Sequence, residues 1–341
     1  MINVENLSKC APNNKKTLTK ADPKMKLKDK RMIIFIALGF LISVAACVLR
    51  TVALFRDFDF ETGYFGEKTL IFVSTFIIFA SVLPALLYFI FGKARKNLIA
   101  DFHSPAIYIP SGLLALAFIF MARELLLSSA FFVSEAALSQ KIILFFILVG
   151  SIASILYLFL NTFLGRRYSQ IRGAFGFAPI ITLLAFAALL YFDTSVPINA
   201  PNKSVDQIAY VITAVFFCGE IRISLGREIW RLYTAVGIIA ASVCAYSSIP
   251  SLIIYFTKDG VCISSSVAES ILTFALFVFI TAKTVLVAFL KSGEKGMLAS
   301  SISSPTEQDV EEKAEESTNE NQMSIDDILL SQNSPQSEEE K

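Results

Sequence analysis

The chain has 341 residues, of which 55% are hydrophobic and only 17% are charged, and its mean hydropathy is +0.62. Soluble domains carry about 25% charged residues, so this composition excludes an ordinary soluble globular protein and predicts a membrane protein. The net charge of +1 hides an asymmetry. Residues 1–31 hold nine Lys and Arg against three acids, whereas residues 301–341 hold twelve acids against two Lys.

Long apolar segments predict the membrane body. An α-helix needs about 20 consecutive apolar residues to cross a bilayer. Eight segments meet this requirement, at residues 32–54, 69–91, 105–130, 141–164, 175–192, 206–226, 230–256 and 268–290. The sequence therefore predicts an all-α integral membrane protein, a bundle of about eight transmembrane helices within residues 32–291. We expect the polar arms on either side to be disordered.

The Lys and Arg residues of the connections predict the orientation. If the N-terminus is inside, the cytoplasmic parts contain 22 Lys and Arg and the outer flanks contain six. Connections rich in Lys and Arg are retained on the cytoplasmic side of a membrane. We therefore predict a multi-pass protein of the cell membrane with both termini in the cytoplasm.

The two arms differ in charge and in predicted partner. The basic arm is expected to lie against the anionic lipids of the inner leaflet. Their attraction for each basic residue near the surface is worth about 1 kcal/mol. The acidic tail, residues 292–341, contains a short amphipathic segment at 323–330 in which Ile325, Ile328 and Leu329 share one helical face. This segment is a candidate docking peptide for a cytoplasmic protein, and the alternative is a chance apolar patch.

Arg50, Arg123 and Glu124 are the candidate ligand-binding residues. Arg50 lies 18 residues after Met32 and Arg123 lies 18 residues after Pro105, so both should reach a similar depth in the outer part of the bilayer. An ionisable residue inside a membrane suggests a functional site, and a guanidinium binds carboxylate or phosphate through two prongs. We expect an outward-opening polar vestibule; alternatively, both arginines pair with nearby acids or extend to the interface. The acids on the same predicted side are Asp59, Glu61, Glu135, Asp206 and Glu269.

Charges near the predicted inner side receive structural interpretations. Lys283 lies in the inner half of the last span and is expected to extend toward the inner headgroups, although its amine could also serve as a coupling group. The segment from Glu220 to Arg231 is interpreted as a cytoplasmic hairpin that turns at Gly226. Four prolines interrupt spans and can kink them, at Pro84, Pro110, Pro179 and Pro250.

The sequence offers no catalytic motif. The only histidine, His103, lies in a predicted cytoplasmic connection, whereas metalloproteases and serine–histidine intramembrane proteases need histidine within their sites. Nucleophile-elbow, phosphate-loop and dinucleotide-binding sequences are all missing. We predict that the protein is not an enzyme, uses no cofactor or metal, and does not bind nucleic acid.

One stretch carries a resemblance to a known group of proteins. Arg50, Leu54 and Phe58, followed by Thr62-Gly63-Tyr64-Phe65, form a pattern similar to that of uncharacterised multi-pass membrane proteins of clostridia-type bacteria. In these, a first span ends in Arg and a short loop carries a Thr-Gly turn with aromatic residues. The hairpin at 222–227 belongs to the same resemblance. It covers the membrane body without the tails, and it implies a bacterial envelope protein with no established activity.

These observations lead to two hypotheses of different classes. The first is an integral membrane protein that binds a small ligand, or transports it, through the outward-facing vestibule. The second is a non-catalytic scaffold or accessory protein that recruits a cytoplasmic partner through its acidic tail. An intramembrane enzyme is disfavoured. A water-filled cavity lined by deep polar residues would favour the first hypothesis, and a fully packed apolar bundle the second.

Overall fold

The computed structural model describes residues 30–60, 64–92, 105–127, 138–163, 169–192, 201–225, 229–258, 260, 263 and 266–289. The predicted basic arm up to residue 29, and the acidic tail with its docking segment at 323–330, lie outside these residues. The same holds for His103, Gly226, Thr62, Gly63 and two of the predicted outer acids, Glu61 and Glu135.

The described chain is a bundle of helices. Its elements are α1 (Lys30–Arg56), β1 (Phe58–Asp59), β2 (Tyr64–Phe65), α2 (Thr69–Ala80), α3 (Val82–Phe91), α4 (Pro105–Leu127), α5 (Leu138–Phe163), α6 (Ser169–Phe192), α7 (Pro201–Ser224), α8 (Trp230–Thr257) and α9 (Val267–Phe289). Because α2 and α3 together form one span, eight helical spans are long and apolar enough to cross a membrane. The predicted all-α architecture is confirmed.

Each span runs opposite to the one before it, which defines two ends of the bundle. We call the end where α1 begins the proximal end, and the end where α1 finishes the distal end. α8 is the most buried span and packs against α1, α3, α7 and α9. α5 lies between α4 and α6, and α6 lies beside α7. Among helices that are not consecutive, α4 packs against α9, α7 also contacts α9, and α1 contacts α3 and α9.

The start of α7 differs from the prediction. Hydropathy placed this span at residue 206, because the residues before it are polar, whereas the helix begins at Pro201. Proline is favoured in the first turn of a helix, where a backbone N–H has no helical partner to bond. The first turns of α7 therefore carry Asn202, Lys203 and Asp206 into the protein interior, where they are 4%, 5% and 3% exposed.

Small residues allow close approach between several spans. Gly150 of α5 faces Thr182 of α6 so closely that a Cβ at this glycine would overlap the threonine hydroxyl. One turn along, Ser154 Oγ lies 3.3 Å from Thr182 Oγ1. The pair Gly237 and Thr284 brings α8 and α9 together in the same way. Such contacts are how membrane helices gain packing energy without a hydrophobic driving force.

The second span is broken at a proline. α2 ends at Ala80 and α3 begins at Val82, with Ser81 between them. Pro84 has no N–H to bond the carbonyl of Ala80, and its ring crowds that carbonyl, so the hydrogen-bond ladder is interrupted here. The other three spans continue through their prolines, at Pro110, Pro179 and Pro250.

The outer surface of the bundle is apolar along the spans. On α2, Phe72, Phe76 and Phe79 are 75%, 73% and 60% exposed, and they follow each other at helical spacing. Large exposed apolar side chains of this density need a non-aqueous environment. Contact between these faces and the hydrocarbon of a bilayer satisfies that need.

The aromatic residues after α1 cover the distal end. β1 and β2 pair antiparallel, and Phe58 lies opposite Phe65 in the hairpin. The ring of Phe58 contacts those of Phe60 and Phe65 at centroid distances of 5.0 Å. Lys258, just after α8, places its Nζ 4.1 Å from the Phe60 ring centroid. Phe58, Phe60 and Phe65 thus pack on one another.

Candidate functional site

Arg50 is held inside the bundle near its distal end. Its side chain is 1% exposed. Nη1 donates to the backbone carbonyl of Tyr246 at 2.7 Å, and Nη2 donates to Oδ1 of Asn202 at 2.8 Å. The guanidinium carbon also lies 4.5 Å from the Tyr246 ring centroid, in a cation–π contact. Arg50 therefore does not extend to the interface.

The partners of Arg50 are neutral. Among the described residues, no carboxylate oxygen lies within 4.0 Å of a guanidinium nitrogen of Arg50, the distance that defines an ion pair. Nε, which is also buried, has no hydrogen-bond partner there. Instead of reaching Arg50, the nearby carboxylate of Asp57 forms an ion pair with Arg56 at 3.4 Å. A buried cation with an unused N–H is an energetically costly arrangement.

Further buried polar groups extend the environment of Arg50 across four spans. The Tyr246 hydroxyl lies 2.9 Å from Ser74 Oγ and 3.1 Å from Thr75 Oγ1. Ser247 donates a hydrogen bond to Asp206 Oδ1. We define the distal cluster as Arg50, Asn202, Asp206, Tyr246 and Ser247. It connects α1, α7 and α8, and the two hydroxyls on α2 adjoin it.

A second group of polar side chains lies one turn deeper. Tyr210 donates to Glu269 Oε1 at 3.4 Å, and Thr273 Oγ1 donates to the Tyr210 hydroxyl at 3.5 Å. Glu269 is 3% exposed, although its carboxylate lies in the first turn of a span. Thus two of the predicted outer acids, Asp206 and Glu269, are buried at the same end as Arg50, whereas Asp59 is exposed in the hairpin.

The other two candidate ligand residues lie elsewhere. Arg123 is exposed near the distal end of α4, and Glu124 beside it is half-buried. α4 packs against α5 and α9, whereas Arg50 makes its contacts with α7 and α8. Within the described part of the chain, Arg50 contacts neither residue. A vestibule shared by all three remains a prediction.

The proximal end contains a buried ion pair. Lys283 Nζ lies 2.7 Å from Glu220 Oε1, and the two side chains are 0% and 2% exposed. Asn161 Nδ2 donates to the same oxygen at 3.1 Å. The expectation that Lys283 extends to the headgroups is wrong, because a carboxylate within the bundle is available to pair with it. Glu220 does not belong to a hairpin either, since α7 continues to Ser224.

The ion pair leaves some polar atoms unused. Glu220 Oε2 is buried and has no partner in the described part of the chain, and the same is true of the Tyr233 hydroxyl. Tyr233 belongs to α8, and its ring lies against Gly219, the neighbour of Glu220 on α7. The ammonium group of Lys283 also lies 5.5 Å from the Phe279 ring centroid.

Both α7 and α9 carry buried charged residues near each of their ends, and the two ends are far apart. Asp206 and Glu220 are separated by fourteen residues of α7, and Glu269 and Lys283 by fourteen residues of α9. At 1.5 Å per residue this separation is about 21 Å, or roughly two thirds of a 30 Å hydrocarbon core. An aromatic layer lies between the two charged regions and consists of Phe216, Phe217 and Phe279, the last two stacked at 5.9 Å.

A cavity of about 280 Å³ lies between α1 and α8, beside Arg50 but lined by none of the residues of the distal cluster. Its lining includes Phe40, Val44 and Val48 on one side and Ala245 and Ile249 on the other. It offers almost no polar surface, so it is not the polar cavity that would favour the ligand-binding hypothesis; the support for that hypothesis is the buried charge of Arg50 instead. No group of three metal-ligating side chains occurs among the described residues.

Sequence reasoning missed several members of both charged regions. Asn202 and Asn161 gave no signal by themselves, because single amides are common near the ends of spans. The interruption of an apolar segment by Tyr246-Ser247-Ser248 was a usable signal, since polar residues within membrane helices tend to bond across helices. A second signal was Pro201, which favours starting the helix before the polar residues that follow it.

Comparison of the chain with protein-family models, curated proteins and solved structures gave no match. The fold itself defines the broad class, a multi-pass membrane protein with eight apolar helical spans. The similarity of the Arg50–Phe65 stretch to clostridia-type membrane proteins stays a prediction.

Proposed function

We propose that the protein binds a small anionic solute at Arg50 and takes part in its passage across the membrane, without catalysing a reaction. The observation that carries this proposal is the isolation of the Arg50 guanidinium, which is 1% exposed and has only neutral partners among the described residues. Its buried Nε–H has no hydrogen-bond partner in the part of the chain that the structure describes.

The chemistry of the solute follows from these contacts. A charge removed from water must be compensated by an opposite charge and by hydrogen bonds. A carboxylate or phosphate group supplies both, and it bonds the planar guanidinium through two oxygens. Asn202 and Tyr246 already fix the orientation of the guanidinium, which lowers the entropic cost of binding.

The distal end provides the proposed route of entry. Arg50 lies six residues before Arg56, whose side chain is 66% exposed at the end of α1. Six helical residues correspond to about 9 Å, so an anion entering at this end has a short distance to travel. In the predicted orientation the distal end faces outward. Glu220 of α7 and Lys283 of α9 place further charges near the proximal end. These charges are consistent with a role in passage as well as in binding.

The experiment compares two arginines that differ in burial. Thermal unfolding of the purified full chain is measured with inorganic phosphate and a panel of small carboxylates. A binding anion should raise the Tm, because a ligand that binds only the folded state stabilises it by about 2.7 kcal/mol at 100 times its Kd. Arg50→Lys retains the charge but loses the two-pronged geometry, so most of the increase should disappear. Arg56→Lys, the same exchange at an exposed position, should retain it.

Two results would contradict the proposal. One is a wild-type protein that none of the anions stabilises. The other is an Arg50→Lys variant that is folded and responds to the anion as strongly as the wild-type protein does. Uptake of a stabilising anion into vesicles containing the protein then tests passage separately from binding.

A further inference from the structure

The Glu220 carboxyl group is used on one side only. Oε1 accepts hydrogen bonds from both Asn161 at 3.1 Å and Lys283 at 2.7 Å. Oε2 is buried without a partner in the described part of the chain. A buried carboxylate oxygen without a donor is costly, and protonation is one way to remove that cost.

Few groups surround Glu220 in the part of the chain that the structure describes. α9 contributes Lys283, α5 contributes Asn161 and, one turn earlier, Tyr157, and α8 contributes Tyr233. The described side chains of α6 include no charged residue. The Tyr233 hydroxyl also lacks a partner among the described residues, and it does not hydrogen-bond to Oε2.

Glu220 lies near the proximal end of the bundle. It lies four residues before the end of α7 at Ser224, a distance of about 6 Å along the helix. Toward the distal end, the stacked rings of Phe217 and Phe279 block a direct route. Exchange with solvent is therefore expected at the proximal end.

We propose that Glu220 is a reversible proton-binding site in the membrane interior, with Oε2 as the oxygen that takes the proton. Binding transfers a proton from water at the proximal end to the carboxylate and gives a neutral carboxylic acid, while Lys283 stays an ammonium ion. Release is the reverse step. Lys283 controls the site, because a neighbouring cation stabilises the carboxylate and promotes release.

This site goes beyond the proposed binding of an anion and does not depend on it. A proton held at Glu220 changes the charge of the bundle interior by one unit, on the same helix that carries Asn202 of the distal cluster. Such a group is the type that membrane transporters use for coupling to protons.

The test is an infrared pH titration of the full chain in lipid vesicles, from about pH 4 to pH 10, the range between the ordinary pKa values of Glu and Lys. A carboxylic-acid carbonyl band should grow as the pH falls. All 29 Asp and Glu residues contribute to this band, so the spectra of each variant are subtracted from those of the wild-type protein. Glu220→Gln should lose one component of the band, whereas Glu269→Gln, which removes another buried carboxyl group, should retain that component. Lys283→Met, which removes the cation bound to Oε1, should increase the Glu220 component at neutral pH.

A second variant covers the case in which Glu220→Gln does not fold. Glu220→Gln with Lys283→Met removes both charges and leaves no unpaired ion, an exchange that proteins often tolerate. This double variant should also lack the Glu220 component. The proposal is overturned if that component persists without Glu220, if the wild-type protein shows no such component, or if Lys283→Met leaves it unchanged.

Discussion

Breaking the ion pair between Lys283 and Glu220 should destabilise the protein far more than removing it entirely. Their nitrogen and oxygen are 2.7 Å apart, and both side chains are almost completely buried. Removing one partner loses a charge-assisted hydrogen bond, worth about 1.5–3 kcal/mol, and leaves the other charge without compensation. The total cost for such pairs is about 3–5 kcal/mol.

The two single variants, Glu220→Gln and Lys283→Met, should therefore each lose roughly 3–5 kcal/mol of unfolding free energy. The double variant should lie within about 1 kcal/mol of wild type, because no uncompensated charge remains. The glutamine of Glu220→Gln can still accept the hydrogen bond from Asn161. The loss of stability in this variant therefore does not come from that hydrogen bond. Titration of the purified protein with denaturing detergent, in a background of mild detergent micelles, gives the four free energies.

The double-mutant cycle contains its own control. Strongly coupled side chains give a double variant much more stable than the sum of the single losses predicts. Additive losses, or single variants within about 1 kcal/mol of wild type, would show that the two side chains are not strongly coupled and would refute the reasoning.

Three further predictions concern packing, orientation and the tail. Gly150→Ala should destabilise the protein by about 1–3 kcal/mol, because a Cβ at this position overlaps α6. Gly112→Ala, which has open space around it, should be neutral or stabilise the protein by up to about 1 kcal/mol. The free energies of unfolding of the two variants are compared, and equal effects would contradict the close packing at Gly150. A membrane-impermeant thiol reagent should label Asp59→Cys in intact cells but Cys10 only after permeabilisation, and the reverse pattern would invert the predicted orientation. Deleting residues 323–330 should reduce a co-purifying cytoplasmic protein at least tenfold if the segment docks one; a partner retained in full would refute docking.

Apolar length was sufficient to predict the fold. Each span is long enough that its mean hydropathy stays high in spite of single polar residues. All eight spans were therefore predicted. The close approach of α5 and α6 was also predictable, since Gly150 and Ser154 are small residues spaced by one helical turn. Helix starts were harder, because α7 begins within residues whose polarity is characteristic of a loop.

The partners of buried charges could not be predicted from local sequence. Lys283 and Glu220 are 63 residues apart, and Arg50 and Asn202 are 152 residues apart. A long basic side chain near the end of a span has two satisfactory environments, the headgroups and buried hydrogen-bond acceptors, which are a carboxylate for Lys283 and neutral oxygens for Arg50. Only the packing of α7 against α9, or of α1 against α8, decides between them.

The fourteen-residue separation between the charged regions has an electrical consequence. The voltage across a membrane falls mainly within its hydrocarbon core, and it changes the energy of a unit charge by about 2.3 kcal/mol per 100 mV over the full thickness. A separation of about 21 Å covers roughly two thirds of that core. An anion or a proton that moved between Arg50 and Glu220 would thus gain or lose about 1.5 kcal/mol per 100 mV. Movement of an anion or a proton between the two ends of the bundle would carry an electric current. The resting potential of the cell would favour one direction of that movement.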